Sequence, residues 1–553
     1  MSFFDLVRHE MQGSLPRLVI MSGLAGVSNA ALLAAINAAS QGASEGKPSL
    51  WAAALFVVSL LLFVKTQNYV LIASTVEIEA IVHKLRVRLM DQVRRSELVP
   101  LETIGRARIV AGITRDTATL TSAANMLAFA ASGVVLLFFV GFYVAYLSLL
   151  AFAMSIVIVG MAAGLFHFKS RQLEEGRRQA AEWENRLFDR VTDLLEGFKE
   201  VRLSRPRSDD LFNDIVEVSR TAANIKIRTE SETLKRLVFS QTSMYLLLGA
   251  VAFVVPTFSS TAAASISQTT TALLFVVGTC FGLVQTIPVL SAANAAAGNL
   301  ERLEAELRAT TLAEEESAAA EEESAAEPRR LFDRIEMRNI VFRYVDKASE
   351  AIFQIGPVDF TLRSGELVFI SGGNGSGKST FLKVLSGLYK PDSGEIRLDG
   401  VLVTDRNIDA YRELIAAIFT DYHLFQRLYG IPDPDPAEID RLLAEYRLLD
   451  KTRLSKGEFS TLDLSGGQRK RLALLVSLLE KRPILLLDEW TADQDPDFRR
   501  RFYDEFLPAL IQAGKTVVVI THDDRYLAEL HMPARKLRMD EGRFVEGHPV
   551  ESD

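Results

Sequence analysis

The sequence predicts an all-α membrane domain of six transmembrane helices with long cytoplasmic extensions, fused to an α/β domain built around a phosphate-binding loop. Three observations support this fold class. Hydrophobic residues make up 48% of the 553 residues. Two long runs, Thr117–Phe168 and Leu237–Leu300, contain no Asp, Glu, Lys or Arg. The segment SGGNGSGKST at 371–380 contains the pattern G-x-x-x-x-G-K-S after a short apolar run.

The charge-free runs predict membrane-spanning helices. Each is long enough to cross a ~30 Å hydrocarbon core twice, so each predicts a helical hairpin. The N-terminal region adds two more apolar stretches, and the first of them is too long for a secretory signal and lacks a small-residue cleavage site. The six predicted spans lie near Leu15–Ala39, Leu50–Ser74, Ala123–Tyr146, Leu147–Phe168, Leu237–Ser260 and Thr269–Ser291.

Basic residues concentrate in two long loops, at about 75–120 and 169–236, whereas the loop Ser40–Ser49 holds only Lys47. The positive-inside rule therefore places both long loops and both termini in the cytoplasm. Apolar residues recur in these loops at helical spacing, which predicts that the membrane helices continue beyond the bilayer. We expect each loop to turn near its middle, at Pro100–Gly105 and at Ser204–Asp210, where Pro206 interrupts the pattern.

The soluble part is separated from the membrane part by an acidic repeat. Residues 311–329 repeat AEEESAA almost in tandem, and such a segment has too few apolar residues to join a core. We therefore expect a transmembrane domain at 1–310, a linker at 311–330 and an α/β domain at 331–553. The net charge of −8 identifies no partner, and the single cysteine, Cys280, excludes an intrachain disulfide.

The glycine loop predicts nucleotide binding. It follows the apolar run Leu367–Ile370, so a strand leads into a loop and then a helix, and backbone N–H groups point at phosphate oxygens. Lys378 is expected to reach the β- and γ-phosphates, and Ser379 to bind Mg²⁺. The predicted phosphate-binding residues are Gly373, Asn374, Gly375, Ser376, Gly377, Lys378, Ser379 and Thr380.

Three further segments follow the loop in a fixed order. They are LSGGQ at 464–468, ILLLDE at 484–489 and ITHDD at 520–524. Together with the loop they resemble the nucleotide-binding domain of an ABC transporter. The resemblance implies a site that binds and hydrolyses ATP with Mg²⁺.

The resemblance also implies individual roles. Asp488 would hold Mg²⁺ through water, and Glu489 would act as general base on the attacking water. His522 would contact the γ-phosphate, and Tyr344 would stack on adenine. The alternatives are a carboxylate that caps the next helix, a structural histidine and an ordinary strand aromatic.

The LSGGQ segment, 464–468, which we call the signature segment, precedes a basic helix, the signature helix. Its glycines suit a helix N-terminus that binds an anion. In ABC domains this motif meets the ATP bound by the other subunit. The resemblance therefore implies a homodimer with twelve spans and two ATP molecules. The residues that would act across the subunit boundary are Ser465, Gly466, Gly467 and Gln468.

Two segments depart from the usual ABC pattern. In the segment AIFTDYHLF, 417–425, Thr420 stands where exporters usually have glutamine, and it could still offer a hydroxyl to Mg²⁺ or its water. The run that includes the acidic pair reads DEWTADQDPDFRR, 488–500, with Ala492, Asp493, Gln494 and Asp495 in place of the more common serine, alanine, leucine and aspartate. Both departures resemble bacterial exporters of cyclic peptides and peptide siderophores, of the pyoverdine and syringomycin exporter type.

The resemblance to that group implies ATP-driven export of a cyclic or modified peptide, or of a peptide siderophore, across the bacterial inner membrane. A lipid or lipid-linked flippase and a broad-specificity drug exporter remain open alternatives. A non-transport ABC ATPase acting on nucleic acid is opposed by six spans fused to one nucleotide domain, so no nucleic-acid partner is expected. An importer is disfavoured, because importers of the vitamin and sugar kind usually keep their membrane and ATPase parts on separate chains.

Polar residues inside spans are candidates for the cargo cavity, because such residues are costly in lipid and usually face a cavity. Lys65, Gln67 and Asn68 in the second span and Gln285 in the sixth meet this criterion. Lys65 could instead snorkel to the cytoplasmic headgroups. Three further residues, Asn29, Asn37 and Asn294, together with Gln285, are better explained as helix–helix hydrogen bonds.

Overall fold

The computed structural model describes residues 3–10, 15–44, 49–168, 170–258, 266–318, 331–345, 352–431, 434–529 and 532–545. The chain divides into two compact units. The first comprises Met1–Met90 and Ala107–Glu304, and the second comprises Asp91–Arg106 and Ala305–Asp553. The second unit therefore includes a short segment from the first of the two long loops.

The N-terminal part of the chain is helical. Its helices are α1 Phe3–Glu10, α2 Leu15–Ser44, α3 Leu50–Arg95, α4 Leu98–Ile104, α5 Arg106–Ala111, α6 Thr117–Leu147, α7 Leu149–Phe168, α8 Ser170–Glu196, α9 Phe198–Leu203, α10 Arg205–Gly249, α11 Val255–Phe258 and α12 Ile266–Ala318. One π-helical segment, Gly112–Asp116, precedes α6, and another, Ala250–Val254, joins α10 to α11.

In the described residues, five helical segments are long and apolar enough to span a membrane. They are Pro16–Gly42, Leu50–Arg95, Arg106–Leu147, Arg205–Val254 and Ile266–Ala309, and they contain or overlap five of the six predicted spans. The fourth predicted span coincides with α7, in which Leu149–Gly160 forms a shorter apolar helix. Helix α3 has 46 residues, whereas a crossing needs about 20. Helices therefore continue beyond the bilayer, as the apolar periodicity predicts.

Two of the asparagines join separate parts of the first unit. The Asn37 amide in α2 donates to the hydroxyl of Tyr143 in α6 and to the carbonyl of Gln268 in α12, both at 3.2 Å. Asn294 in α12 accepts a hydrogen bond from the backbone N–H of Phe3 at 2.8 Å. Asn37 therefore makes the predicted helix–helix hydrogen bond.

The predicted turns of the long loops have a more specific form in the structure. The first contains the short helix α4, which ends at Gly105 with a φ of 85°. In the second, Ser204 is extended and Pro206 lies in the first turn of α10. The predicted interruption of the helical pattern is confirmed: one helix ends at Leu203, and Pro206 lies in the first turn of the next, where proline lacks only an N–H that would have no partner.

The second unit is α/β. Its strands are β1 Arg334–Val345, β2 Ile352–Arg363, β3 Leu367–Ser371, β4 Ser393–Leu398, β5 Val401–Leu402, β6 Ile415–Ile418, β7 Leu454–Ser455, β8 Glu458–Phe459, β9 Ile484–Asp488, β10 Thr516–Ile520, β11 Arg535–Asp540 and β12 Arg543–Val545. Besides α4 and the C-terminal ends of α3 and α12, its α-helices are α13 Lys378–Leu385, α14 Ile408–Arg412, α15 Pro436–Glu445, α16 Gly466–Leu479, α17 Pro496–Arg501, α18 Leu507–Gln512 and α19 Asp524–Ala528.

The strands of the described residues form a six-stranded sheet in the order β12-β11-β3-β10-β9-β6, a four-stranded antiparallel sheet in the order β2-β1-β4-β5 and a two-stranded antiparallel sheet of β7 and β8. Strands β11, β3, β10, β9 and β6 run parallel. Every residue of β9 and β10 is buried, as expected for parallel strands covered on both faces. The carboxyl ends of parallel strands meet at one edge, where ligands bind in open α/β sheets.

Alternate residues of the central strands enter two different hydrophobic cores. Phe369, Leu487 and Val519 belong to one core, whereas Ile370 and Leu486 belong to the other. This is the period-two alternation of a strand. The second core also packs against Leu98 and Val99 of α4, so this segment of the first long loop is anchored in the second unit by apolar contact.

Candidate functional site

The phosphate-binding loop lies between β3 and α13, as the motif predicts. Gly372 has a φ of 150°, and a β-carbon there would lie 2.1 Å from the Met539 carbonyl oxygen. Gly377 precedes α13 with a φ of 102°. Both conformations favour glycine. The loop is therefore shaped by two glycines that no larger residue can replace without strain.

Lys378 is the first residue of α13 and is buried, with 5% of its surface exposed. Its ammonium donates to the Gly372 carbonyl at 3.0 Å and to the Gly373 carbonyl at 2.8 Å. Burial lowers the pKa of Lys378, while the negative charges of Glu489 and Asp488 oppose that shift. The ammonium therefore lies inside the loop, beside the carboxylates of the predicted site.

Asp488 ends β9 and is 1% exposed. Neither oxygen of its carboxylate has a hydrogen-bond partner of standard geometry in the described residues. Burial is the largest influence on its pKa and raises it; the nearby Ser379 hydroxyl and Thr420 backbone N–H act in the opposite direction. A buried carboxylate beside a hydroxyl fits the hard oxygen ligands that Mg²⁺ prefers. Thr420 interacts through its backbone, so a role for its hydroxyl stays a prediction.

Glu489 and His522 meet at the adjacent ends of β9 and β10. Glu489 Oε1 lies 3.0 Å from His522 Nε2. Next to His522, the Asp523 carboxylate accepts from the Thr491 hydroxyl at 2.8 Å and from the Tyr503 hydroxyl at 3.2 Å. These two hydrogen bonds fix the backbone segment that includes His522. The structure thus places the two predicted catalytic residues, Glu489 and His522, within hydrogen-bonding distance of each other.

Tyr344 lies near the end of β1, where it pairs with Phe353 of β2. It is 39% exposed, so part of its ring is available to a ligand. Its predicted stacking role stays a prediction.

Ser465 caps the N-terminus of α16. Its backbone N–H donates to Gln468 Oε1 at 3.0 Å, and the Gln468 N–H donates to Ser465 Oγ at 3.4 Å. This is a capping box. Gly466 and Gly467 form the first turn, and a β-carbon on Gly467 would lie 2.6 Å from the Asp493 carbonyl oxygen. The signature residues therefore form the predicted helix N-terminus, with Gln468 engaged in its cap.

Sequence reasoning missed the contacts of Arg471, which is buried in α16. Its guanidinium donates to Gln494 Oε1 at 2.8 Å and to the Asp495 carboxylate, and it lies 3.7 Å from the ring centre of Phe498. Gln494 also donates to the Gly467 carbonyl at 3.2 Å. The unusual run 492–495 is thus bonded to the signature helix, and the replacement of aliphatic residues by Asp and Gln there was the available signal.

The candidate cavity residues lie on α3 and α12. Lys65, Asn68 and Gln285 are exposed. Gln67 is half-buried, and its Oε1 has no hydrogen-bond partner in the described residues. The structure gives no hydrogen bond among these four side chains within its described part, so their grouping in one cavity stays a prediction.

Comparison with known proteins identifies the family. A family model described as ABC transporter matches residues 355–492. The chain is 34% identical over 543 residues to the ATP-binding protein SyrD of Pseudomonas syringae pv. syringae, which covers 95% of this chain and 93% of that protein. It is 35% identical over 234 residues to the ATP-dependent lipid A-core flippase of Aromatoleum aromaticum, which covers 40% of this chain and 37% of the flippase.

The fold also matches a solved structure over nearly its whole length. A bacterial Atm1-family ABC exporter with ATP bound superposes with a TM-score of 0.74 at 19% identity, covering 97% of this chain and 95% of that chain. With its apolar helices, the protein is a multi-pass membrane protein. The chain belongs to the ABC transporter family, as an exporter-fold half-transporter that binds ATP and couples its hydrolysis to transport.

Proposed function

We propose that the protein exports a cyclic or modified peptide, or a peptide siderophore, across the bacterial inner membrane by alternating access. Two features support this cargo class. The similarity to SyrD extends over 95% of the chain and therefore includes the membrane helices, whereas the similarity to the flippase covers 40%. The segments 417–425 and 488–500 resemble the peptide-exporter group in the positions where they depart from other exporters.

The proposed unit is a homodimer, because each chain carries one phosphate loop and one signature segment. Residues 1–310 would form the transmembrane domain, 311–330 the linker and 331–553 the ATPase domain, with both termini in the cytoplasm. The N-terminus of α16, which begins after Ser465, would contact the ATP bound by the second copy, since helix N-termini favour anions.

In each site, Ser379 and Asp488 would hold Mg²⁺, with Thr420 as a further candidate. The ion would neutralise charge on the β- and γ-phosphate oxygens. Glu489 would accept the proton of the attacking water, and His522 would contact the γ-phosphate and orient the Glu489 carboxylate. The 3.0 Å approach of Glu489 Oε1 to His522 Nε2, beside the buried Asp488, is the observation that carries the hydrolytic role.

The hydrolytic role is tested by Glu489→Gln in the full-length protein reconstituted in nanodiscs. Glutamine keeps the size and a hydrogen bond to His522 but cannot accept the proton, so turnover should fall about 100-fold or more while ATP binding persists. Glu480→Gln is the matched control, because Glu480 is also partly buried and pairs with Arg482 at 2.8 Å outside the site. Undiminished hydrolysis in Glu489→Gln would remove Glu489 from this role.

The cargo class is tested with inverted membrane vesicles that contain the wild type or Glu489→Gln. Peptide export predicts ATP-dependent accumulation of a labelled cyclic lipopeptide by the wild type only. A flippase would instead move a fluorescent lipid-linked substrate in the same vesicles. Transport of the lipid without the peptide would replace the proposed cargo and leave the ATPase assignment standing.

A further inference from the structure

The backbone of Glu489 is held in an unfavourable conformation. Its φ of 48° and ψ of 38° lie in the left-handed region, which is costly for a residue with a β-carbon. Such conformations persist where surrounding groups hold them, and they cluster at functional sites. The groups that hold this peptide therefore determine where the Glu489 carboxylate points.

Both backbone polar groups of Glu489 are bonded to other segments. Its N–H donates to the Ile520 carbonyl of β10 at 3.1 Å. Its carbonyl accepts from the ammonium of Lys470 in α16 at 2.8 Å. Within its own turn the carbonyl has a longer bond, from the Ala492 N–H at 3.3 Å. The Lys470 ammonium, which is charged, therefore makes the stronger of the two hydrogen bonds to this carbonyl.

Lys470 is itself fixed in place. It is 6% exposed, and its ammonium pairs with the Asp493 carboxylate at 2.8 Å. In return, the indole N–H of Trp490 donates to the Lys470 carbonyl at 2.8 Å. The signature helix therefore donates a hydrogen bond to the turn at 489–493 and accepts one from it. The buried ammonium of Lys470 is satisfied by a carboxylate and a carbonyl.

We propose that Lys470 is a positioning residue that holds the Glu489 peptide in its left-handed conformation and so directs the Glu489 carboxylate at the attacking water. This inference rests on the proposed role of Glu489. Because Lys470 lies on the signature helix, a displacement of that helix would be transmitted through one side chain to the general base of the same chain. Lys470 should therefore affect the turnover rate rather than the affinity for ATP, because its side chain contacts the 489–493 turn and not the phosphate loop.

The test is Lys470→Met in the full-length protein in nanodiscs. Methionine keeps the apolar stem and removes the donor, so kcat should fall about tenfold or more, bounded by the loss in Glu489→Gln. The Kd for a fluorescent ATP analogue should stay within about twofold of the wild type. Lys470→Gln retains a neutral donor and should recover part of kcat.

Lys515→Met is the matched control. Lys515 is half-buried, and its ammonium also donates to a backbone carbonyl, that of Arg482, away from the 489–493 turn. We expect this variant to keep the wild-type kcat. If Lys470→Met and Lys515→Met have the same kcat, or if Lys470→Met weakens nucleotide binding as much as it lowers kcat, the positioning role is wrong.

A double variant separates this role from a general structural effect. If Lys470 acts through the Glu489 carboxylate, Lys470→Met should change the single-turnover rate by less than about twofold when Glu489 is already glutamine. An undiminished effect in that background would overturn the inference. Should Lys470→Met fail to fold, Lys470→Gln carries the same comparison. Hydrolysis that survives Glu489→Gln would instead remove Glu489 from the proposed role of general base, on which this inference rests.

Discussion

The contact between α4 and the ATPase fold gives a quantitative prediction. The Glu102 carboxylate in α4 accepts from the Tyr389 hydroxyl at 2.8 Å and lies 3.4 Å from the Lys383 ammonium. Tyr389 is buried and stacks on Phe342, with 4.8 Å between ring centres. Burial and the bond to Glu102 raise the pKa of Tyr389, so the phenol stays protonated and donates at neutral pH.

The expected loss follows from these partners. A hydrogen bond to a charged group contributes about 1.5–3 kcal/mol, and an ion pair at the surface adds roughly 0–1 kcal/mol. The Glu102 side chain is 32% exposed, so water replaces part of the interaction. We therefore expect Glu102→Ala to weaken the attachment of α4 by about 1–2 kcal/mol, which raises the population of its detached state by a factor of about 5–30.

Hydrogen exchange of the full-length protein measures this directly. Amides of α4 should exchange about 5–30 times faster in Glu102→Ala, provided that they exchange through local opening. Glu97→Ala is the matched control, because Glu97 precedes α4 and its side chain makes no capping bond. Tyr389→Phe should produce part of the same effect, and the double variant should be non-additive. Equal exchange in Glu102→Ala and Glu97→Ala, or strict additivity with Tyr389→Phe, would refute the reasoning.

Three further substitutions test the nucleotide site. Lys378→Ala should weaken Mg-ATP binding at least about tenfold, since a charge-assisted contact contributes about 1.5–3 kcal/mol; unchanged affinity in a fluorescent-nucleotide titration would contradict the assignment. Tyr344→Ala should weaken ATP binding about two- to tenfold through lost stacking, with Tyr344→Phe close to the wild type in the same titration. Gly372→Ala should destabilise the ATPase fold by more than about 2 kcal/mol, because its β-carbon would lie 2.1 Å from the Met539 carbonyl oxygen; thermal unfolding in detergent checks this.

Much of the architecture is readable without coordinates. Charge-free runs reveal membrane spans because lipid excludes unpaired charge, and five of the predicted spans are confirmed as long apolar helices. The glycine loop, the acidic pair and the histidine are recognisable because each follows an apolar strand whose end the sheet topology brings to one edge. The break next to Pro206 was predicted at the right place, but a single proline does not show whether it ends one helix or lies at the start of the next.

The sequence by itself therefore determined the fold class and the order of the membrane and ATPase parts, and it predicted the residues around the triphosphate, because these depend on composition and on short motifs. Only the tertiary structure decided which distant groups meet: Lys470 with the Glu489 carbonyl, Glu102 with Tyr389, and Asn37 with Tyr143. Such pairs depend on how helices and loops far apart in the chain pack against each other. A hydrogen bond needs its two atoms within about 3 Å, and no local pattern of residues encodes that distance.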